Sequence, residues 1–236
     1  MRACVICATP RSGSTLLCSL LRSSGVAGQP ESWFRRQDRA DWARAWGIGP
    51  GDWDSYLAAA IVAGTGGNGV CGLRLMWNML GELVAELGGA AVADQAALLE
   101  QIFGPTAFVH LSRRDGVAQA VSRHRAEASG IWHLGIEEAE VPGAVGYDFG
   151  RIAGYLDAVA AENVAWDGWF AANGIAPLRV FYEDLAADPG AVAQLVLTHL
   201  GLEADGPLQS PVRRMADATS AAWGARFRAE MRRGAG

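Results

Sequence analysis

An uncharged apolar run, Ala3-Cys4-Val5-Ile6-Cys7-Ala8, leads straight into a turn of small and polar residues, Thr9-Pro10-Arg11-Ser12-Gly13-Ser14-Thr15. Apolar residues then recur at Leu16, Leu17, Leu20 and Leu21, up to Gly25. A short apolar run bounded by Pro and Gly reads as a fully buried strand, and the spacing behind it as a helix. Strand, tight turn and helix make an anion cradle, because the N–H groups of the turn and of the helix N-terminus converge on one spot. The hydroxyls of Ser12, Ser14 and Thr15 add donors, and Arg11 adds a full charge. The simpler alternative is an ordinary strand-to-helix turn with a Ser cap. Ala8 and Ser14 stand where a Walker loop has its first Gly and its Lys, so this is not that motif.

Composition narrows the chemistry. All 20 basic residues of the 236 are Arg, with no Lys anywhere. A Schiff-base lysine and a P-loop lysine are therefore excluded, and any cation that clamps a phosphate must be the planar fork of Arg. The net charge of −5 gives no support for a nucleic-acid partner. No apolar stretch reaches the roughly 18 residues of a membrane span, and no signal peptide is evident. Half of the chain is hydrophobic, enough for the core of one domain over 1–236. Cys4 and Cys7 form a CxxC, but on a strand they point to opposite faces, which is wrong for chelation. With Cys18 and Cys71 they read as buried small hydrophobes in a reducing, cytoplasmic setting, with no metal site.

Along the chain, strands alternate with helices. Further strands are expected at 70–75, 106–112 and 177–182, and helices at 38–63 (broken at 47–52), 93–103, 116–129, 152–172 and 189–200. The last helix runs through Trp223, Phe227 and Arg233. Residues 130–150, with Trp132, His133 and the acidic Glu137-Glu138-Ala139-Glu140, read as a lid or recognition loop. The alternation predicts an α/β fold, a parallel sheet covered by helices on both faces. Ligands of such sheets gather at the C-terminal strand ends. Arg74 falls at one such end and Arg113-Arg114-Asp115 at another, with Asp115 as N-cap of the next helix and Ser122 about two turns into it. These form a second anion site. Glu31, on the loop behind the first helix, is a carboxylate beside the cradle that could act as general base. Two anion sites suit a nucleotide with a 5′ mixed anhydride and a separate ribose phosphate, such as 3′-phosphoadenosine 5′-phosphosulfate. A kinase-like enzyme and a non-catalytic nucleotide-binding module remain as alternatives.

Across nearly its whole length the chain resembles the bacterial sulfotransferases of the trehalose 2-sulfotransferase type. The resemblance rests on Arg11-Ser12-Gly13-Ser14-Thr15-Leu16-Leu17, on Gly25-Val26-Ala27-Gly28 with Pro30 and Phe34, and on Leu75-Met76-Trp77-Asn78. It continues through Arg113 with Asp115, Gln119-Ala120-Val121-Ser122, Trp166, Trp169, Phe170, Arg214, Ala216, Asp217 and Trp223. It implies a P-loop-like α/β sulfotransferase fold that works without metal and transfers a sulfo group to a hydroxyl of a sugar-like or glycolipid acceptor. The products would be a sulfate ester and adenosine 3′,5′-bisphosphate, and a homodimer is plausible. Residues 11–15 would hold the phosphosulfate, Arg113 and Ser122 the 3′-phosphate, and Arg213 and Arg214 would close over the donor. Glu31, Arg11 and Arg74 form the expected catalytic set. Trp33, Phe34, Trp77 and Trp132 are the candidates for stacking on the acceptor, with Asn78 beside them. Two departures fall on the acceptor side. The family pattern has Pro, one variable residue, then the proposed base, whereas here Glu31 follows Pro30 directly and Ser32 comes next. Leu73-Arg74 stands in place of a Gly-Lys pair. His124 and His133 are held in reserve as bases, although each reads as a surface residue.

Overall fold

In the computed structural model, which describes residues 1–89, 94–132, 145–212 and 217–234, the strand β1 (Arg2–Ala8) is buried from Ala3 onward. It passes through the expected turn into α1 (Ser14–Ser23). A loop and a short 3-10 turn lead to α2 (Arg39–Ala45), α3 (Trp53–Gly64), the strand β2 (Val70–Met76) and α4 (Trp77–Glu86). Then come α5 (Gln95–Phe103), β3 (Thr106–Ser112), α6 (Gly116–Ser129) and the long α7 (Phe149–Ala172). The described chain ends with β4 (Leu178–Phe181), α8 (Tyr182–Ala187), α9 (Pro189–His199) and α10 (Ala218–Gly234).

All strand pairs are parallel, in the order β2-β1-β3-β4. The register leaves the C-terminal ends nearly flush: Ala8 pairs with Met76 and Leu111, and Ser112 with Phe181. Each loop leaving a strand therefore rises from one edge of the sheet. Side chains alternate across it. Cys4, Ile6 and Ala8 pack on one face with Leu17 and Leu21 of α1 and Val196 and Leu197 of α9. Val5 and Cys7 pack on the other with Leu83 of α4, Phe103 of α5 and Trp166 and Phe170 of α7. Cys4 and Cys7 thus face opposite sides, as a strand demands, and all four thiols are free and buried. A third cluster joins Val121 of α6, Ile152 of α7 and Phe227 of α10.

Helix starts depart from expectation where a carboxylate caps the chain. The helix expected from 152 begins at Phe149, because Asp148 accepts the Arg151 N–H at 2.9 Å. The helix expected from 93 begins at Gln95, with Asp94 capping Ala97. Helix α8, directly behind β4, is too short to show a periodicity of its own and was not expected.

The loop after α1 is pressed against β2. Gly28 has φ +70°, and a Cβ there would lie 2.4 Å from the carbonyl oxygen of Val70. At Gly72 a Cβ would lie 2.5 Å from the Pro30 nitrogen. This contact lets Glu31 form a parallel bridge with Leu73, its carbonyl accepting the Arg74 N–H at 2.9 Å. Gly28→Ala combines a left-handed backbone with a backbone clash. It is expected to lower stability by about 2–4 kcal/mol, read from urea unfolding; a change below about 0.5 kcal/mol, the range of neutral surface changes, would show that the loop can lift off β2.

Candidate active site

A cavity of about 1400 Å³ opens at the C-terminal edge of the sheet. Small-ligand pockets usually enclose ~300–1000 Å³, so there is space for more than one small molecule. Its walls come from the first turn, from β2 and α4, from α6 and α7, and from α8 and α10.

The first turn is built for an anion. Arg11 and Gly13 have positive φ, +67° and +90°. Gly13 occupies the N-cap of α1 with no side-chain cap, so the N-terminal N–H groups are left without the Ser cap of the simpler alternative. A Cβ at Gly13 would sit 2.6 Å from the Tyr182 ring, so both conformation and space require glycine there. Arg11, strained for a non-glycine residue, is held by its own side chain. Its Nε donates to Ser122 Oγ at 3.0 Å, and its Nη1 donates to the carbonyl of Trp132. Gln119 fastens the turn from α6, its Nε2 donating to Thr9 Oγ1 at 2.8 Å and to the Pro10 carbonyl at 2.7 Å. The two anion-binding segments expected from sequence are therefore neighbours, joined by the Arg11–Ser122 hydrogen bond.

Gly13, Ser14, Thr15, Arg74, Asn78, Arg113, Ser122 and Trp132 reach the cavity wall together with Arg11. Ser12 does not. It is fully buried, and its Oγ has no hydrogen-bond partner among the described residues. Its N–H is turned inward to the Thr9 carbonyl at 3.3 Å, so Ser12 closes the turn and gives the cavity no hydroxyl. Trp33 and Phe34, expected to face an acceptor, are core residues. Trp33 packs on Trp42 and Trp46, and Phe34 on Phe103 and Trp53. Trp77 likewise turns inward, edge-to-face on Trp166 with ring centroids 5.2 Å apart. His124, expected at the surface, is buried against Trp223, with Nε2 2.9 Å from the Gly146 carbonyl. Arg213, Arg214, His133 and the acidic stretch at 137–140 lie outside the described residues.

Arg74 is a buried cation of the site, 9% exposed. Its Nε donates to Ser32 Oγ at 2.7 Å, its Nη1 to Thr15 Oγ1 at 2.8 Å and its Nη2 to Glu31 Oε1 at 2.5 Å. Both Glu31 oxygens are in use, since Oε1 also accepts the Ser32 N–H at 2.8 Å and Oε2 accepts from Arg22 at 3.1 Å. Burial pushes the Glu31 carboxyl up, but Arg74, the Ser32 N–H and Arg22 outweigh it and hold it below 4.5. Ser32 lies on the cavity wall, whereas Glu31 does not. The carboxylate expected as a base is the seat of Arg74, and the residue after it faces the ligand space.

Glu183, Arg228, Arg123 and Glu162 on the wall carried no pattern legible in sequence. Arg113 lies 4.3 Å over the Tyr182 ring and 3.9 Å from Glu183. Glu183 also accepts the N–H groups of Arg114 and Asp115, both at 3.1 Å, just before α6. Asp115 caps α6 as expected, accepting from Ala118 at 2.9 Å, and receives Arg228 of α10 at 2.6 Å. Arg123 and Glu162 face each other from α6 and α7 at 3.5 Å. Among the described residues no group of His, Cys, Asp and Glu is arranged to hold a metal ion, and no helix is long and apolar enough to cross a membrane.

The Glu31–Arg74 pair has a pH signature. A carboxyl that titrates below its unfolded value of 4.5 contributes stability fully above that pH, and the contribution is lost as pH falls through the depressed value. Glu31→Gln is expected to cost about 1–3 kcal/mol at neutral pH, the scale of hydrogen bonds to charged groups. Denaturant titrations should show the gap to wild type closing as the pH drops below 4.5; a gap independent of pH would remove the ion pair as its cause.

The geometry agrees with the relatives of the chain. The family description "Stf0 sulphotransferase" matches residues 3–230. The trehalose 2-sulfotransferase of Mycobacterium tuberculosis is 30% identical, over 98% of this chain and 96% of that protein. The trehalose 2-sulfotransferase of Mycolicibacterium smegmatis is 27% identical over the same shares. The crystal structure of a sulfotransferase from Alicyclobacillus acidocaldarius shares the fold, with a TM-score of 0.51 at 15% identity, over 97% of this chain and 95% of that one. The chain belongs to the Stf0 sulphotransferase family, as the resemblance of its first turn and its Gln-Ala-Val-Ser helix implied.

Proposed function

We propose that this sulfotransferase takes its sulfo group from 3′-phosphoadenosine 5′-phosphosulfate and delivers it to a hydroxyl of a carbohydrate acceptor. The observation that carries the donor reading is the uncapped N-terminus of α1, hydrogen-bonded through Arg11 to Ser122 of a second Arg-bearing segment. A ligand with two separated anionic groups suits such a pair of sites. The carbohydrate reading takes support from the relatives, two of which are trehalose 2-sulfotransferases, and from the polar wall formed by Ser32, Arg35, Gln37 and Asn78.

The residues divide the work by position. The N–H groups at Gly13, Ser14 and Thr15, with the helix dipole behind them, would hold the 5′ end of the donor. Arg113 and Ser122 would hold its 3′-phosphate. The donor supplies an activated sulfo group. Arg74, fixed by three partners, would meet negative charge that builds up between donor and acceptor. Because its fork is already oriented, little reorganisation is needed at the moment of transfer.

Two measurements test this reading. Labelled phosphosulfate is offered with trehalose, other sugars and glycolipids, and mass detection looks for a gained sulfo group; no transfer to any of them would remove the acceptor assignment. For the donor, Arg113→Ala is expected to weaken adenosine 3′,5′-bisphosphate binding by about 1.5–3 kcal/mol, the scale of a charged hydrogen bond. Calorimetry with unchanged affinity would free Arg113 of that role.

A further inference from the structure

We propose that Glu162 of α7, rather than Glu31, takes the proton from the attacking acceptor hydroxyl. The inference rests on the donor and acceptor reading above and adds the identity of the base.

Helix α7 is anchored along the sheet. Phe170 packs on Phe108 of β3, and Trp166 Nε1 donates to the Ala8 carbonyl at 3.1 Å, at the last residue of β1. Glu162 lies one turn earlier, about 6 Å further along the axis, and helical side chains lean toward the N-terminus. The carboxylate therefore stands beyond the sheet edge, on the wall of the cavity that also holds Ser14, Ser32 and Arg74. It occupies the same stripe of α7 as buried Val159 and Trp166, a place where a carboxylate is costly without a purpose. Oε1 has Arg123 at 3.5 Å; Oε2 is buried without a hydrogen-bond partner among the described residues.

The surroundings suit a base. Burial pushes the Glu162 carboxyl above 4.5, against the opposing pull of Arg123. A carboxylate raised toward neutral pH is a better proton acceptor than one held down, as Glu31 is. Arg123 of α6 faces Glu162 directly, and the cavity is lined further by Glu127 of α6, Arg11 of the first turn, Arg35 of the loop after α1, Arg74 of β2, Arg113 and Asp115 before α6, Glu183 of α8, Asp217, and Arg228 of α10. In the step, the acceptor oxygen forms the new O–S bond as its proton passes to Glu162. The S–O bond to the nucleotide phosphate breaks, and its electron pair leaves on adenosine 3′,5′-bisphosphate.

The test is steady-state transfer of labelled phosphosulfate across pH, beside calorimetric binding of the bisphosphate. Glu162→Gln is expected to lower kcat by roughly 10²–10⁴-fold, to abolish the acid limb of the kcat profile, and to leave bisphosphate affinity unchanged. Glu162→Asp should recover part of kcat, and Arg123→Met should move the acid limb to higher pH. Unchanged bisphosphate affinity shows that the variant is folded. Wild-type kcat in Glu162→Gln, or an acid limb that persists there, would overturn the assignment while leaving the sulfotransferase reading intact. A wild-type protein that binds the bisphosphate and transfers to no hydroxyl would overturn both.

Discussion

A guanidinium cannot be left unpaired in a protein interior, and the part of this cavity next to β2 is arranged around that requirement. Arg74 leaves β2 on the face that carries α1, where it meets little water. Its cost of burial is offset only if each N–H direction finds an acceptor. Thr15 supplies one from α1, and Glu31 and Ser32 supply two from the loop that follows it. One side chain thus ties two separate segments, α1 and the loop behind it, to the strand end. Gly28 and Gly72 let the loop come close enough for this, since a Cβ at either would strike backbone.

The same device recurs around the rim. Arg113 has Glu183, Arg228 has Asp115, and Arg123 has Glu162. Of the three only Arg228–Asp115 is an exposed pair, and such a pair adds little to stability. Each pairing fixes the direction of a fork at the cavity wall, and preorganised charges act without reorganising. With no Lys in the chain, every one of these positions is a planar fork, which suits oxygen-rich groups better than a point charge does.

The first turn and the start of α6 were largely legible in the sequence, because they depend on local grammar. A buried apolar run, a turn with Gly13 and a Leu-spaced helix can form a cradle with no information from elsewhere, and Asp115 before an apolar-periodic segment announces its own helix. The strand at 106–112 and the helix at 116–129 appear with their expected bounds for the same reason. What was not legible depends on long-range placement. Nothing local distinguishes an aromatic ring that packs inward from one that lines a cavity, so the sequence could not separate Trp33 and Phe34, which lie in the core, from Trp132, which lines the cavity. Glu162 sits in an ordinary amphipathic helix, and only the docking of Trp166 onto Ala8 brings it to the sheet edge. Likewise α10 delivers Arg228 to Asp115 across 113 residues of chain.

This division bears on how such a site can change its acceptor. The cradle is made of backbone and strand ends inside a close-packed sheet, where small shifts are resisted. The opposite wall is made of a loop and the side chains of α4 and α7. A carboxylate displaced by one position along that loop, as Glu31 is from the family pattern, leaves the cradle untouched. It changes which group faces the ligand: the carboxylate turns back to seat Arg74, and a hydroxyl, Ser32 Oγ, takes the wall. A carboxylate on this wall comes instead from α7, the long helix that Trp166 fixes to the end of β1. The shape and charge of this wall are therefore set by the pairing of Arg74 as much as by the residues that line it.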